Sequence, residues 1–421
     1  MALVSSDHQI IYKSPNHEDI FCYTPSIVRT RNGNMIASLD LGGDGVKDLP
    51  GIKGGRNNNT QFGQGKILLS EDNGQSWNFK TDFPFWHARL FNVKDATYLI
   101  GHDGCLMIMK STDNGYSWGD PVKLTDNQKW HASSCNVLFK ENSVYLAMEK
   151  RADPDVKGWN VAGLSPIVLK GNLSGDLMKP ECWTYSSPLT FIEATKEKDF
   201  SLFGISFYPT KEREPVPLPH GRQSSPMGWL ETNIVQINDP RHRWYDPEQK
   251  TFHLIMRGNT AGTGYGAVLT VKENEQGEMK PSLIDSPAGS PMPFLPMPGG
   301  HLKFFIEHDP VSDLYWMCHN QATDSMATID AIAKENERYN LPNNERHRLE
   351  LSFSNNCVDW RHAGMVAIGS DETQSNNYPS MIINGDDLEI VTRCGVGKVK
   401  DNQYTNAICF QRVKDFRKLV Y

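Results

Sequence analysis

Residues 70–77 read SEDNGQSW, and residues 111–118 read STDNGYSW. The two stretches begin 41 residues apart and differ at two of eight positions. In each stretch the aspartate can accept backbone hydrogen bonds within a turn, and the glycine can supply a positive φ angle. Trp77 and Trp118 follow, and each is expected to bury its indole against the next strand. A turn repeated at this spacing predicts that the sheets themselves repeat along the chain.

Short apolar or alternating runs recur between turn residues throughout the sequence. Examples are ATYLIG (96–101), CLMIMKS (105–111), SVYLAMEK (143–150) and TFHLIMRG (251–258). Runs of about five residues bounded by Gly, Asn, Asp and Pro are typical of strands joined by tight turns. Helical periodicity is nearly absent, and the best candidate is the short stretch 327–339. The sequence therefore predicts an all-β fold.

The repeated stretch matches the Asp-box, S/T-x-D-x-G-x-x-W, and through it the chain resembles the sialidase-like β-propeller superfamily. A third stretch, SNNCVDW (354–360), resembles a decayed copy that keeps Ser354 and Trp360. The resemblance implies one propeller domain over residues 1–421. At about 40 to 60 residues per blade the chain has room for six or seven four-stranded blades, and we favour seven. Asp-boxes lie at the blade periphery in this superfamily, so the functional residues are expected elsewhere.

Composition and charge exclude several classes of protein. The chain has 421 residues, of which 38% are hydrophobic, and a net charge of −7, with 43 basic and 50 acidic residues. The basic residues form no long block, so nucleic acid is not expected as a partner. No apolar run is long enough to span a membrane, and no signal peptide is visible. The printed chain thus predicts a cytoplasmic protein, although a secreted or periplasmic one that had lost its signal would read the same.

The cysteines and histidines show no recognisable ligand spacing. Eight cysteines are scattered without a CxxC pair, which predicts buried free thiols in a reducing compartment. No set of His, Asp or Glu has a spacing that specifies a metal, and we expect neither a metal nor a cofactor. Three histidines, His87, His102 and His319, remain without an assigned role.

One substitution argues against a true sialidase. Sialidases carry a Phe-Arg-Ile-Pro motif whose arginine binds the substrate carboxylate, and the matching stretch here is FCYTPSIV (21–28). Tyr23 stands at the arginine position, and tyrosine has no cationic fork for a carboxylate. Other cationic contacts are available from Arg222, Arg257 and Arg393. The resemblance therefore favours a branch of the superfamily other than the sialidases.

That branch contains lyases acting on uronic acids, of the ulvan lyase and rhamnose–glucuronate lyase type. The resemblance implies His131, Glu149, Asn233 and Arg257 as site residues. A lyase must neutralise the sugar carboxylate, remove the C5 proton and protonate the leaving oxygen. Arg257 with Asn233 fits the first task, and His131 with Tyr265 fits the other two. We therefore expect an enzyme that cleaves an oligo- or polysaccharide containing an acidic sugar, by elimination.

The stretch 214–228 is rich in proline and is predicted to be a long loop over one face of the propeller. It contains Arg222 and leads into GWLETN (228–233). Glu231 and Asn233 are therefore predicted, with Arg222, to contact substrate.

Two other functions remain open. An exo-acting glycoside hydrolase needs two carboxyl groups, or a tyrosine nucleophile with an acidic partner, and Glu149 with Glu231 is the natural carboxyl pair. A propeller that binds glycans without catalysis is the third alternative. Arg346 and Arg348, in a charged stretch before a strand, and Tyr378, at a strand entrance, are further candidates for contacts to an acidic sugar.

Overall fold

The computed structural model of the protein contains six small antiparallel sheets arranged as the blades of a β-propeller. It describes residues 3–56, 61–126, 128–131, 133–196, 213–217, 223–260, 262–327, 344–371 and 373–421. The predicted all-β fold is confirmed, and the preference for seven blades is wrong. The turn motifs of blades 1 and 2 begin 41 residues apart, but later blades use more residues because longer connections precede their strands. The chain therefore forms fewer blades than that spacing suggests. More than 40 residues separate Tyr185 from Gly228, for example.

The strands are numbered in chain order. They are β1 (Ser5–Lys13), β2 (Phe21–Arg29), β3 (Met35–Gly42), β4 (Gly54–Arg56), β5 (Gln61–Ser70), β6 (Asn78–Phe83), β7 (Trp86–Val93), β8 (Ala96–Asp103), β9 (Cys105–Ser111), β10 (Val122–Lys123), β11 (Trp130–His131), β12 (Leu138–Lys140), β13 (Ser143–Arg151), β14 (Leu164–Asn172), β15 (Trp183–Tyr185), β16 (Val216–Pro217), β17 (Gln223–Ser224), β18 (Gly228–Val235), β19 (Thr251–Asn259), β20 (Tyr265–Glu273), β21 (Met279–Ser282), β22 (Ile284–Asp285), β23 (Pro291–Met292), β24 (Phe294–Pro296), β25 (Phe305–Asp309), β26 (Leu314–Asn320), β27 (Arg348–Ser354), β28 (Arg361–Ile368), β29 (Asn376–Asn384), β30 (Asp387–Cys394) and β31 (Ala407–Val413).

The blades follow one another along the chain. From the axis outward, blade 1 is β2-β3-β5-β6, blade 2 is β7-β8-β9-β10, blade 4 is β18-β19-β20-β21, blade 5 is β25-β26-β27-β28 and blade 6 is β29-β30-β31-β1. In blade 3 the innermost position is shared by β11 and β12, which both pair with β13, followed by β14 and β15. Two small hairpins, β16-β17 and β22-β23, lie outside the blades, and β4 and β24 add to blades 1 and 4.

Among the described residues, helices are few and short. The α-helix α1 spans Phe191–Thr195, and 3-10 turns span Asp44–Asp48, Val161–Gly163, Pro180–Cys182 and Phe416–Leu419. Within the described ranges no helix has the length and apolarity needed to cross a membrane. A helix was predicted at 327–339, and all of that stretch except residue 327 lies outside the described residues. The predicted loop 214–228 is described in part, and it includes the β16-β17 hairpin.

The two ends of the described chain close the ring. Blade 6 takes three strands from the C-terminal side, and β1 completes it by pairing antiparallel with β31. The fully buried carboxylate of Glu389 in β30 accepts hydrogen bonds from Arg29 of blade 1, at 2.5 and 3.3 Å, and from Arg412, at 3.2 Å. This ion pair fastens the last blade to the first.

Polar side chains also join neighbouring innermost strands. Asn136 of blade 3 donates to the Ile234 carbonyl of blade 4 and accepts from the Ile234 amide, both at 2.8 Å. Similar bridges join blades 1 and 2, 2 and 3, 4 and 5, and 5 and 6, and their side chains are Ser26, Arg89, Asn233 and Lys303. Because these groups are buried, each bridge satisfies backbone atoms that water does not reach.

The repeated motif forms two matching turns in outer hairpins, between β5 and β6 and between β9 and β10. Asp72 Oδ1 accepts the Ser76 amide at 2.8 Å, and Asp113 Oδ1 accepts the Ser117 amide at 2.9 Å. The motif glycines have φ angles of 87° and 91°, as the pattern predicts. The third stretch occupies the same place between β27 and β28, where Asn356 accepts the backbone amide of the residue two positions on. These turns connect the outermost strands of their blades, so they do not contribute to a central site.

The cysteine prediction is wrong for one pair. Cys394 and Cys409, on the paired strands β30 and β31, form a disulfide, although no short spacing in the sequence announces it. The other cysteines are free thiols, and all of them except the half-buried Cys182 are buried.

Candidate functional site

Four of the six innermost strands begin with the same irregularity. The register of β2, β7, β18 and β29 against the next strand shifts near the start of each. The shifts contain residues with positive φ angles, namely Thr24 (31°), His87 (52°), Glu231 (61°) and Tyr378 (54°). Such bulges redirect side chains, and positive φ is costly for residues other than glycine. Contacts among these starts place them at one end of the propeller. Glu231 bonds to Tyr378, and Arg393 lies against the rings of Tyr378 and Tyr23. Asp40, which pairs with Tyr23, accepts the His87 amide.

Tyr378 and Glu231 meet at this end although 147 residues separate them. The Tyr378 hydroxyl donates to Glu231 Oε1 at 2.5 Å. Arg257 Nη1 lies 3.4 Å from Glu231 Oε2 and 3.3 Å from the Tyr378 hydroxyl. Burial raises the pKa of Tyr378, and the Glu231 carboxylate raises it further, against the opposing effect of nearby arginines. The phenol therefore keeps its proton at neutral pH and directs it towards Glu231.

Three buried guanidinium groups surround the tyrosine. Arg346 and Arg393 lie 5.7 and 4.6 Å from the centre of the Tyr378 ring, and Arg257 contacts its hydroxyl. Nη1 of Arg346 is buried without a hydrogen bond to any described residue, and burial lowers the pKa of Arg346 to about 10. Glu231, which bonds to Tyr378 and Arg257, supplies one negative charge beside these three positive charges. A buried cluster with this charge balance favours an anionic ligand.

Tyr23 packs against this cluster. The Arg393 guanidinium lies 4.6 Å from the centre of the Tyr23 ring, so it lies close to both Tyr23 and Tyr378. Arg393 is also held by Thr405, whose hydroxyl accepts from Nε at 3.3 Å. The tyrosine thus supports one of the arginines instead of supplying another positive charge.

His301 and Trp159 were not predicted, and both lie beside Arg257. The His301 carbonyl accepts from Arg257 Nε at 2.8 Å, and burial lowers the pKa of the His301 imidazole to about 3. Neither ring nitrogen of this buried, neutral imidazole has a partner among the described residues. The Trp159 ring lies 5.1 Å from the Arg257 guanidinium and is 37% exposed, which gives the cluster an accessible aromatic surface.

Glu149 is a second buried carboxyl near Glu231. Its Oε1 accepts from the amide and hydroxyl of Thr232, at 2.9 and 2.6 Å, while its Oε2 has no partner among the described residues. Burial raises the pKa of Glu149 to about 7, and the negative charge of Glu231 contributes. At neutral pH this group is therefore divided between acid and carboxylate, as a general acid requires.

Three histidines converge at the innermost strands of blades 2 and 3. Nδ1 of His87 lies 3.0 Å from Nε2 of His102, and the His131 ring lies 5.0 Å from the His87 ring. One nitrogen from each of these three histidines lies within 4.8 Å of those from the other two, so the cluster could hold a metal ion. Spacings of 15 and 29 residues along the chain gave no indication of this in the sequence.

The remaining predicted residues lie elsewhere. Asn233 is fully buried, and its amide bonds to the Phe304 carbonyl and the Ile306 amide of blade 5. Tyr265 begins β20, the third strand from the axis. The guanidinium of Arg348 donates to the Gln321 side chain at 2.8 Å. Arg222 lies outside the described residues. The structure thus brings together five residues of the predicted set, Glu149, Glu231, Arg257, Arg346 and Tyr378. His131 lies in the histidine cluster.

Comparison with known proteins supports the fold. The chain matches no protein-family model and no curated protein sequence. Solved structures with the same fold include a Dyadobacter fermentans protein of unknown function (12% identity, TM-score 0.54, 97% of this chain and 98% of that one). Another is a mutant of a Fusarium graminearum α-L-arabinofuranosidase with an iminosugar inhibitor (9% identity, TM-score 0.52, 98% of this chain and 98% of that one). A third is a Trypanosoma rangeli sialidase with 2,3-difluorosialic acid (13% identity, TM-score 0.54, 100% of this chain and 60% of that one). The chain thus spans about three fifths of that sialidase, and at these identities the similarity concerns the fold alone.

Proposed function

We propose that the protein is a retaining glycoside hydrolase acting on a sugar that carries a carboxylate, with Tyr378 as nucleophile. The observation that carries the proposal is the 2.5 Å contact between the Tyr378 hydroxyl and Glu231, among three buried arginines. A protonated tyrosine is a weak nucleophile, and an adjacent carboxylate that accepts its proton activates it. The arginines would bind the substrate carboxylate, and their positive charge would balance the negative charge of Glu231.

The reaction divides into two displacements. First, the Tyr378 oxygen attacks the anomeric carbon while Glu231 takes the phenolic proton, the glycosidic bond breaks, and Glu149 donates a proton to the leaving oxygen. Then water attacks the same carbon and gives a proton to Glu149, the bond to Tyr378 breaks, and Glu231 returns the proton to the phenol. The elevated pKa of Glu149 and its free oxygen support the acid role. Trp159 offers a surface on which a sugar ring can stack.

Solved structures with this fold support a sugar as the substrate. Two of the solved structures with this fold are an arabinofuranosidase and a sialidase, and the sialidase complex is a covalent intermediate. Sialic acid carries a carboxylate, whereas arabinose does not. The buried arginines favour the acidic sugar.

Elimination remains a second candidate, because Arg257 lies 3.3 Å from the Tyr378 hydroxyl. That pair could neutralise a uronic-acid carboxylate and exchange a proton at C5, as the lyase hypothesis requires. A glycan-binding propeller without catalysis is less favoured, because ionisable groups converge here instead of aromatic platforms alone.

The test uses chromogenic glycosides in pairs that differ by one carboxylate, such as glucuronides with glucosides, together with sialosides and arabinofuranosides. We expect release from an acidic member, without absorbance near 235 nm, and covalent labelling of Tyr378 by a fluorinated analogue of that sugar. Tyr378→Phe should lower kcat about 100-fold or more. Tyr145→Phe is the matched control, since its hydroxyl donates to Glu273 in an outer contact between blades 3 and 4.

Full activity of Tyr378→Phe would refute the nucleophile, and labelling of Glu231 would transfer that role to the carboxylate. Absorbance near 235 nm on uronic-acid glycans would establish elimination. A preference for the neutral member of every pair would refute the acidic substrate.

A further inference from the structure

The cluster formed by His87, His102 and His131 has the composition of a metal site, and one nitrogen from each ring lies within 4.8 Å of the other two. These residues lie on β7, β8 and β11, so strand pairing fixes the backbone position of each histidine. His102 is buried, and the other two are half-buried. We propose that this cluster, the histidine triad, binds one Zn²⁺ ion, independently of the glycosidase proposal.

The bulge in β7 explains how the first two rings meet. Trp86 pairs with His102 across the ladder, and in a regular strand the residue after Trp86 would point to the opposite face. The φ angle of 52° at His87 breaks that alternation and turns its ring towards His102. The amide of His87 donates to Asp40 Oδ1 at 3.2 Å, which fixes the bulge and places a buried carboxyl group close by. A positive φ maintained by a buried partner is the kind of strain that marks a functional position.

The distances fit an imidazole-bound ion. In tetrahedral zinc sites with Zn–N distances of about 2.0 to 2.1 Å, two ligand nitrogens lie about 3.3 Å apart. The nitrogens of His87 and His102 are 3.0 Å apart, and all three lie within 4.8 Å. Movements of the ring nitrogens by about 1 Å would complete the site, and side-chain adjustments are common on binding.

The ligand set also selects the metal. Neutral imidazoles suit Zn²⁺ and its transition-metal neighbours, whereas Mg²⁺ and Ca²⁺ prefer oxygen ligands. Three protein ligands leave a fourth tetrahedral position for water or an oxygen of a bound molecule. Because His87 lies at the bulged end of its strand, like Glu231 and Tyr378, that position would be available to a molecule held at the same end of the propeller.

The test measures metal binding without substrate. Tag-free protein is stripped with EDTA, titrated with ZnCl₂ by calorimetry, and loaded with Co²⁺ for visible spectroscopy. We expect one Zn²⁺ per chain and the intense absorption bands of four-coordinate Co²⁺. Each of His87→Gln, His102→Gln and His131→Gln should weaken Zn²⁺ binding about 100-fold or more. His308→Gln is the control, since that imidazole contacts Asp313 in blade 5 and should leave binding unchanged.

Circular dichroism and thermal unfolding in EDTA establish that each variant is folded before its affinity is interpreted. Zn²⁺ should raise the unfolding temperature of the wild type and of His308→Gln, and leave the triad variants unchanged. Absence of stoichiometric binding by folded wild type would overturn the proposal, and the histidines would then form a hydrogen-bonded cluster only. Equal affinity of wild type and all three triad variants would overturn it as well. Neither result would bear on Tyr378, whose test uses glycosides.

Discussion

Asn233→Ala separates a structural role from the substrate contact that the sequence predicted for this residue. The side chain donates to the Phe304 carbonyl at 3.2 Å and accepts from the Ile306 amide at 3.0 Å. The substitution leaves both backbone groups of blade 5 buried without those partners. Each unsatisfied buried group costs about 1 to 3 kcal/mol, so the free energy of unfolding should fall by about 2 to 6 kcal/mol. Urea unfolding followed by tryptophan fluorescence measures this.

Two further variants sharpen the test. Asn136→Ala removes the equivalent bridge to Ile234 and should cost a similar amount. Asn233→Asp keeps an acceptor for the Ile306 amide, but only the protonated acid can donate to the Phe304 carbonyl. The folded state therefore raises the pKa of the new carboxyl, and the cost increases as the pH rises above its ordinary value of about 4. The deficit relative to wild type should be smaller at pH 5 than at pH 8.

The reasoning fails if Asn233→Ala unfolds within about 0.5 kcal/mol of the wild type, the range of ordinary surface substitutions. If kcat/KM then falls as well, Asn233 contacts substrate as the sequence predicted. A deficit of Asn233→Asp that does not depend on pH would refute the donor role of the amide.

Three other perturbations have defined outcomes. Glu149 has a pKa of about 7 in the folded protein, above its value in the unfolded chain, so the wild type should lose stability as the pH rises. In metal-free buffer we expect its free energy of unfolding to fall by about 2 to 3 kcal/mol between pH 5 and pH 8, relative to Glu149→Gln. Parallel pH profiles of the two proteins would contradict this. Glu389→Gln weakens the ion pair with Arg29 and should destabilise the ring by about 3 kcal/mol in urea. Cys394→Ser opens the disulfide to Cys409, whose sequence separation is 15, and should cost about 3 kcal/mol, a loss that reductant reproduces in the wild type.

The fold was predictable because its signals are local. A turn such as that at Asp72 is complete within eight residues, and short alternating runs reveal strands without reference to their neighbours. The number of blades depends on how many residues the connections use, and turn motifs carry no information about that. The motif is also weakened in blade 5, where Asn356 replaces the aspartate.

The site was predictable only residue by residue. Glu231, Arg257, Arg346 and Tyr378 were identified separately, from their positions at strand entrances and in charged stretches. The contact between Tyr378 and Glu231 joins blades 6 and 4 through the ring, and no spacing along one strand encodes it. The same holds for the histidine triad, since a metal site is recognised in sequence only when its ligands lie close together along the chain.

The closing strand also has a consequence for biosynthesis. β1 is translated first among the strands, yet its partner β31 begins only at Ala407. At about 5 to 20 residues per second, roughly 20 to 80 s pass between the two. Throughout that interval the nascent chain carries an exposed edge strand with no partner, the kind of element that recruits other chains. Six of the nine residues of β1 are polar or charged, which limits the tendency of the unpaired strand to aggregate on the ribosome.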